Sequence, residues 1–222
     1  MAKYQPIIMP RSKKYGNNYW KSFSIKENRI VTFYSDLEYK NWLTIEMNPD
    51  IEHFCEQPLE IELTVDGKTS KSVFDMWVSY KNGSEEFWEV KYYKDIEGYD
   101  KKSELVRKQI EKQKIWCIEN HYIHKVRTEN EIELGPEYIN NLRYLSHLIK
   151  HLVPYKDVYP FRTELLTFLL HKNRTVGDII NSKTLPEGNE VAILAYLIYD
   201  GTVKVNLTMK PFAHNTEVEY HG

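Results

Sequence analysis

The amino-acid sequence predicts an α/β domain followed by a mostly helical domain. In residues 35–135, a predicted helix precedes three strands with alternating apolar side chains, and a second, long helix is followed by a fourth strand. Gly135-Pro136 interrupts this pattern, as Gly-Pro pairs do at element boundaries. Beyond it the chain is mostly helical and ends in two short alternating segments. The order of these elements predicts two domains.

The composition is that of a globular chain without a membrane anchor. Of the 222 residues, 41% are hydrophobic and 28% are charged. No segment approaches the ~18 consecutive apolar residues of a membrane helix, and the N-terminus has no signal-peptide pattern. We therefore expect a cytoplasmic protein that makes no membrane contact. Cys55 and Cys117 are far apart and outside any C-x-x-C pair, so we expect buried, reduced thiols.

Residues 1–34 are predicted to form a basic arm and a hairpin. Residues 1–35 hold seven Lys/Arg and one Glu, whereas residues 36–80 hold three Lys and ten Asp/Glu. Basic arms commonly follow phosphate backbones, and acidic clusters can hold the cations that phosphate chemistry uses. Two solvated faces would have the same composition. The pattern from Tyr19 to Phe33, broken at Glu27-Asn28, predicts the hairpin.

Residues 35–135 supply the elements of the α/β domain. Ser35 and Glu38 fit a capping box, which predicts a helix that ends near Met47. Three strands in an antiparallel meander, a long helix and a last strand follow. The predicted bounds are Leu59–Val65, Ser72–Tyr80, Glu86–Tyr93, Lys101–Asn120 and Tyr122–Arg127.

Residues 136–222 are predicted to form a winged-helix-like domain, since helices followed by a small hairpin are typical of that module. A capping box at Thr175 and Asp178 begins the third helix. The other helices are Glu137–His151, Phe161–His171 and Asn189–Tyr199, and the two strands are Thr202–Met209 and Thr216–Tyr220.

Asp75, Glu89 and Lys91 carry the candidate chemistry. Side chains alternate along a strand, so Glu89 and Lys91 share one face of theirs. Asp75 lies opposite Glu89 only if the two strands fold about Asn82, which requires an odd-numbered loop or a bulge. Two carboxylates and an ammonium on one face suit phosphodiester hydrolysis: the carboxylates hold a hard cation, and the lysine orients water or offsets negative charge. The alternative is an exposed strand face beside an incidental aspartate.

Four short motifs resemble those of the endonuclease subunit of heteromeric, Tn7-type transposases, the TnsA-like family. In chain order they are Ser35-Asp36-Leu37-Glu38, Glu56-Gln57-Pro58, Phe74-Asp75 and Glu89-Val90-Lys91. The resemblance covers residues of about 30–130, and the helical tail is similar to the C-terminal winged-helix domain of that family. One departure is Phe74, which stands where the wider nuclease pattern has proline.

The resemblance implies a restriction-endonuclease-like PD-(D/E)XK core with a central mixed sheet. Such a subunit cuts the 5′ ends of a mobile element during cut-and-paste transposition, while a partner DDE-type transposase cuts and joins the 3′ ends. It also implies an ATP-dependent regulator that docks on the C-terminal domain. Glu38, Asp75 and Glu89 would surround two Mg²⁺ ions, which Mn²⁺ can replace, with Lys91 beside them.

Several alternatives remain open on the residues alone. The capping box explains Glu38 without catalysis, and we expect its carboxylate to fill one role or the other. Gln57 is at most a supporting residue near the site. Lys101, Lys102, Lys108 and Lys112 either contact DNA phosphates or are solvated. The chain as a whole could also be a free-standing restriction, junction-resolving or phage DNA-processing nuclease, or a non-catalytic DNA-binding adaptor.

Overall fold

The computed structural model describes residues 3–9, 18–65, 68–152, 159–170, 174–183 and 188–220. The chain divides into two compact units. The first contains residues 1–45 and 50–132, and the second contains residues 46–49 and 133–222. The predicted hairpin near the N-terminus belongs to the first unit. Among the described residues, no helix has both the length and the apolar character needed to cross a membrane.

The first unit contains eight strands and four helices among its described residues. A hairpin of β1 and β2 leads into helix α1, and the remaining strands and helices follow in mixed order. Their bounds are β1 Trp20–Ser24, β2 Arg29–Phe33, α1 Asp36–Glu46, β3 Ile51–Glu56, β4 Glu60–Val65, β5 Lys68–Val73, β6 Met76–Tyr80, β7 Glu85–Val90, α2 Tyr93–Glu97, α3 Lys101–Glu119, β8 Ile123–Arg127 and α4 Glu129–Ile132.

A four-stranded mixed sheet, in the order β3-β6-β7-β8, forms the centre of this unit. Strands β3, β6 and β7 pair antiparallel, whereas β7 and β8 pair parallel. Helix α3 makes the crossover between β7 and β8 that a parallel pair requires. The predicted central mixed sheet is therefore confirmed.

The predicted three-stranded meander is wrong. Strands β4 and β5 form a separate two-stranded sheet, and the central sheet instead includes β3, which the sequence reading missed. The single strand predicted over Ser72–Tyr80 is two strands, because β5 pairs with β4 while β6 pairs with β3 and β7. The strand predicted to reach Tyr93 ends at Val90, and α2 begins at Tyr93.

Polar residues within β3 explain why its pattern was missed. Glu56 is buried in that strand, where its carboxylate accepts two hydrogen bonds from the Arg29 guanidinium, at 2.7 and 2.6 Å. The strand pattern predicts an apolar side chain at this buried position. The two bonds from Arg29 allow a carboxylate there instead. The N–H of Phe54 donates to the Glu27 carboxylate in the same region.

Aromatic and thiol side chains fill the core between the central sheet and α3. The buried cluster there consists of Cys55, Ile61, Phe74, Trp77, Phe87 and Cys117. Both cysteines are free and buried, as predicted. The described part of the N-terminal arm packs on this core: the Tyr4 ring lies 5.1 Å from that of Trp77, and the Lys3 ammonium pairs with Glu85 at 2.9 Å. Residues 10–17, which carry the rest of the predicted arm's basic charge ahead of the hairpin, lie outside the described residues.

The second unit is built mainly from helices around α8. Its elements are α5 Tyr138–Leu152, α6 Tyr159–Leu169, β9 Arg174–Thr175, α7 Val176–Asn181, α8 Glu190–Tyr199, β10 Val203–Lys204 and β11 Glu217–Tyr220. The three short strands pair antiparallel in the order β10-β11-β9. The capping box of Thr175 and Asp178 at α7 is confirmed. The strand predicted over Thr202–Met209 is shorter, since only Val203 and Lys204 pair with β11.

Candidate active site

Strands β6 and β7 bring Asp75 and Glu89 together. Their register ends where Met76 pairs with Trp88, and Asp75 and Glu89 are the next residues along the two chains. The Asp75 N–H donates to the Trp88 carbonyl at 3.2 Å, which departs from a regular pairing with Glu89, but the Val90 N–H donates to the Asp75 carboxylate at 2.9 Å and the Lys91 ammonium reaches both carboxylates. The two carboxylates therefore lie on the same side of the pair.

The loop between the paired residues of β6 and β7 contains an odd number of residues, as the predicted alignment of Asp75 and Glu89 requires. Tyr80 N–H donates to the Ser84 carbonyl at 2.9 Å, which closes an odd-numbered loop around Asn82. The Asn82 side chain accepts from the Ser84 N–H at 2.9 Å, and Gly83 has a φ of 85° that a side chain would disfavour. The strands thus fold about Asn82, as the pairing of the carboxylates requires.

Lys91 lies between the two carboxylates. Its ammonium is 3.5 Å from an Asp75 carboxylate oxygen and makes a short hydrogen bond with Glu89. Burial alone would lower the pKa of this lysine, but the negative charges of Asp75, Glu89 and Glu38 raise it above its usual value. Lys91 is therefore held as a cation at the centre of the group.

Glu38 joins this group from helix α1. One of its carboxylate oxygens accepts from the Tyr34 N–H at 3.1 Å, and the other accepts from the Ser35 hydroxyl at 3.0 Å. The Ser35 hydroxyl in turn accepts from the Glu38 N–H at 3.2 Å. The same carboxylate lies close enough to Lys91 to raise its pKa. Glu38 therefore stabilises the start of α1, as the capping box predicted, and its negative charge also acts on Lys91.

Gln57 connects Glu38 to Asp75. Its side-chain amide donates to the Glu38 carboxylate at 3.3 Å, and its backbone N–H donates to the Asp75 carbonyl at 3.1 Å. This residue, which the sequence placed near the site as a supporting group at most, lies in direct contact with two of the four predicted site residues.

Two glutamines of α3 hold Glu89, which is fully buried. Gln109 donates to one of its carboxylate oxygens at 2.8 Å, and Gln113 donates to the other at 2.7 Å. The pKa of Glu89 is nevertheless raised to about 7, because burial and the neighbouring Asp75 outweigh the opposing effects of Lys91 and Gln113.

His124 extends this arrangement from strand β8. Its ring nitrogen lies 3.3 Å from the Gln113 side-chain oxygen. Burial, with a smaller effect from the Lys114 charge, lowers the pKa of His124 to about 4, so the imidazole is neutral at pH 7. A neutral ring that donates to the Gln113 oxygen turns the amide nitrogen of Gln113 towards Glu89.

The sequence reading missed both glutamines because it judged α3 by its lysines. The detectable signal was the four-residue spacing of Gln109 and Gln113, which places both on one helix face. Three of the lysines have other partners: Lys102 pairs with Asp95 at 2.7 Å, Lys108 pairs with Glu104 at 2.5 Å, and Lys112 donates to the Ser70 hydroxyl at 2.6 Å.

The donor set fits a hard divalent cation by its chemistry and charge. Three buried carboxylates around one ammonium leave a net charge of about −2 when all are ionised, and oxygen donors are what Mg²⁺ prefers. Burial, followed by the neighbouring Asp75 charge, raises the pKa of Glu89. Within the described part of the chain, no group of three or more carboxylate, imidazole or thiol side chains is arranged so that it could hold a metal ion.

Part of the first unit matches a known protein family. Residues 48–129 match the family model described as "TnsA-like endonuclease N terminal". The matched segment includes Asp75, Glu89 and Lys91, whereas Glu38 precedes it. No curated protein matches the chain.

The architecture agrees with this match. A mixed α/β unit with a central mixed sheet fits a restriction-endonuclease-like fold. Phe74, which replaces the proline of the wider pattern, is a buried core residue whose ring lies 4.6 Å from that of Phe87. The departure from the motif therefore affects packing beside the site and leaves its carboxylates in place. Residues 48–129 are therefore similar to the N-terminal domain of TnsA-like endonucleases.

Proposed function

We propose that this protein is a Mg²⁺-dependent DNA endonuclease that cuts the 5′ ends of a mobile element during cut-and-paste transposition. It acts on double-stranded transposon ends together with a DDE-type transposase that processes the 3′ ends. The observation that carries the proposal is the convergence of the buried Asp75 and Glu89 carboxylates on the Lys91 ammonium. The family match to residues 48–129 supports the same reaction class.

Each site residue has a role in this reaction. Glu38, Asp75 and Glu89 would hold the metal, which we take to be two Mg²⁺ ions replaceable by Mn²⁺. When bound, the metal polarises the scissile phosphate and lowers the pKa of a water molecule. Lys91, a stable cation in this environment, orients the attacking water or offsets charge that develops on the phosphoryl oxygens.

We further propose that the second unit is a winged-helix-like module that docks on a protein partner, the ATP-dependent regulator of transposition. Its element order, α6-β9-α7-α8-β10-β11 with a three-stranded sheet, supports this proposal, since winged-helix modules combine helices with a small sheet. Helix α8 occupies the place of the DNA-reading helix, but most of its side chains are buried. Residues 133–222 also hold nine Lys/Arg against ten Asp/Glu, which does not favour phosphate binding.

Strand-specific nicking tests the proposed activity. The full-length protein is mixed with its transposase, Mg²⁺ and DNA that carries the element's ends, and the 5′-end cut is followed on a denaturing gel. We expect Asp75→Ala and Lys91→Ala to abolish this cut. Glu119→Ala, which removes an exposed carboxylate at the end of α3, is the matched control and should cut as wild type does. Wild-type cutting rates in Asp75→Ala or Lys91→Ala would refute the assignment.

A further inference from the structure

Gln57 has a backbone conformation that its side chain disfavours. Its φ is +40°, in the left-handed region that residues with a Cβ rarely adopt, and only 1% of its surface is exposed. It follows the last residue of β3 and precedes Pro58. Unfavourable backbone conformations that persist in a buried position often occur at functional sites.

The hydrogen bonds of Gln57 show what this conformation achieves. Its backbone N–H reaches the Asp75 carbonyl at 3.1 Å, and its carbonyl accepts from the Ile7 N–H at 2.9 Å. Its side-chain amide meanwhile reaches the Glu38 carboxylate at 3.3 Å. One residue therefore fixes the start of β6 and the carboxylate of α1 at the same time.

We infer that Gln57 is a positioning residue that ties the Glu38 carboxylate to the backbone of Asp75, so that both carboxylates face the same metal-binding site. Glu38 and Asp75 come from different elements, and Gln57 is the residue that bonds to both. A carboxylate fixed by hydrogen-bond donors binds a cation more tightly, because less side-chain freedom is lost on binding. The inference rests on the proposed metal-dependent function.

The substitution Gln57→Gly distinguishes a positioning role of Gln57 from a purely structural one. Glycine is the residue best suited to a positive φ, so in Gln57→Gly the relief of backbone strain offsets the loss of the buried side chain, while the donor to Glu38 is removed. If Gln57 were merely a turn residue, this variant would bind metal and cleave DNA as wild type does. If it positions Glu38, the variant folds but loses metal affinity.

The test combines folding, metal binding and cleavage on the full-length protein. Urea unfolding followed by tryptophan fluorescence reports folding, calorimetry with Mn²⁺ reports metal binding, and nicking with the transposase reports kcat and KM for DNA. We expect Gln57→Gly to unfold at or above the wild-type urea midpoint. Its Mn²⁺ affinity and kcat should fall by about 10- to 100-fold, with KM for DNA unchanged. The control is His121→Gly, which relieves a similar φ of 61° at an exposed position, and it should match wild type in binding and cleavage.

The outcomes separate this inference from the proposed function. Wild-type Mn²⁺ affinity and kcat in Gln57→Gly would overturn the inference while the nuclease assignment stands. Absence of Mn²⁺ binding by wild type would overturn both. Mn²⁺ binding by wild type without nicking would overturn the proposed function, whereas weaker Mn²⁺ binding by Gln57→Gly would still support the role of Gln57. Should Gln57→Gly fail to fold, Gln57→Asn serves instead, since asparagine tolerates a positive φ but is one methylene shorter; it should show the same loss.

Discussion

Glu89→Gln should stabilise the metal-free protein at high pH. In the folded state Glu89 is fully buried and its pKa is about 7, compared with an ordinary value of 4.5. Between these two pH values the folded state binds more protons than the unfolded state, so the free energy of unfolding falls as the pH rises. The loss is complete above pH 7, where Glu89 is ionised in both states.

The size of the effect follows from the pKa difference. A shift of that size corresponds to about 3 kcal/mol in total, of which about 2–3 kcal/mol is lost between pH 5 and pH 8. Glutamine cannot ionise, so the variant lacks this loss. Any constant effect of the substitution on packing or hydrogen bonding cancels when the two pH values are compared within each protein.

Tryptophan fluorescence can follow this change in the first unit alone. All five tryptophans lie between positions 20 and 116, within the first unit. Urea unfolding in the presence of a chelator at pH 5 and pH 8 gives the two free energies, and Glu119→Gln, at an exposed position, is the control. If wild type and Glu89→Gln lose the same stability between these pH values, the burial argument for Glu89 is wrong. Added Mg²⁺ should stabilise wild type at pH 8 more than the variant.

Two further predictions concern the support of the site and the role of the second unit. Gln113→Leu removes a hydrogen-bond donor to Glu89, so the nicking rate should fall by about 10- to 100-fold. The rate is measured with the transposase at saturating DNA. An unchanged rate would show that Gln109 and Lys91 suffice to hold Glu89. Removal of residues 136–222 should leave the urea midpoint of the first unit nearly unchanged but prevent co-purification with the transposition partners, and normal assembly of the truncated protein would refute the docking role.

The sequence predicted the elements whose signals are local. The hairpin around Asn28, the cap of α1 at Ser35 and the long helix α3 all depend on residues within a few positions of one another. Strand periodicity likewise predicted that Glu89 and Lys91 share a face, and the loop around Asn82 set the register of β6 and β7, which brings Asp75 next to Glu89 at the end of the pair. These features can be predicted from the sequence because each depends on the backbone geometry of only one or two turns or strands.

Only the tertiary structure decided which strands pair and which amides surround the carboxylates. Strand β3 pairs with β6 although its buried Glu56 interrupts the apolar pattern expected of a strand. The Arg29 guanidinium that stabilises Glu56 comes from a different strand, β2. Gln57 and Gln113 reach Glu38 and Glu89 across 19 and 24 positions of the chain. Periodicity records which face of an element is buried but not what covers that face, since that depends on packing between distant segments.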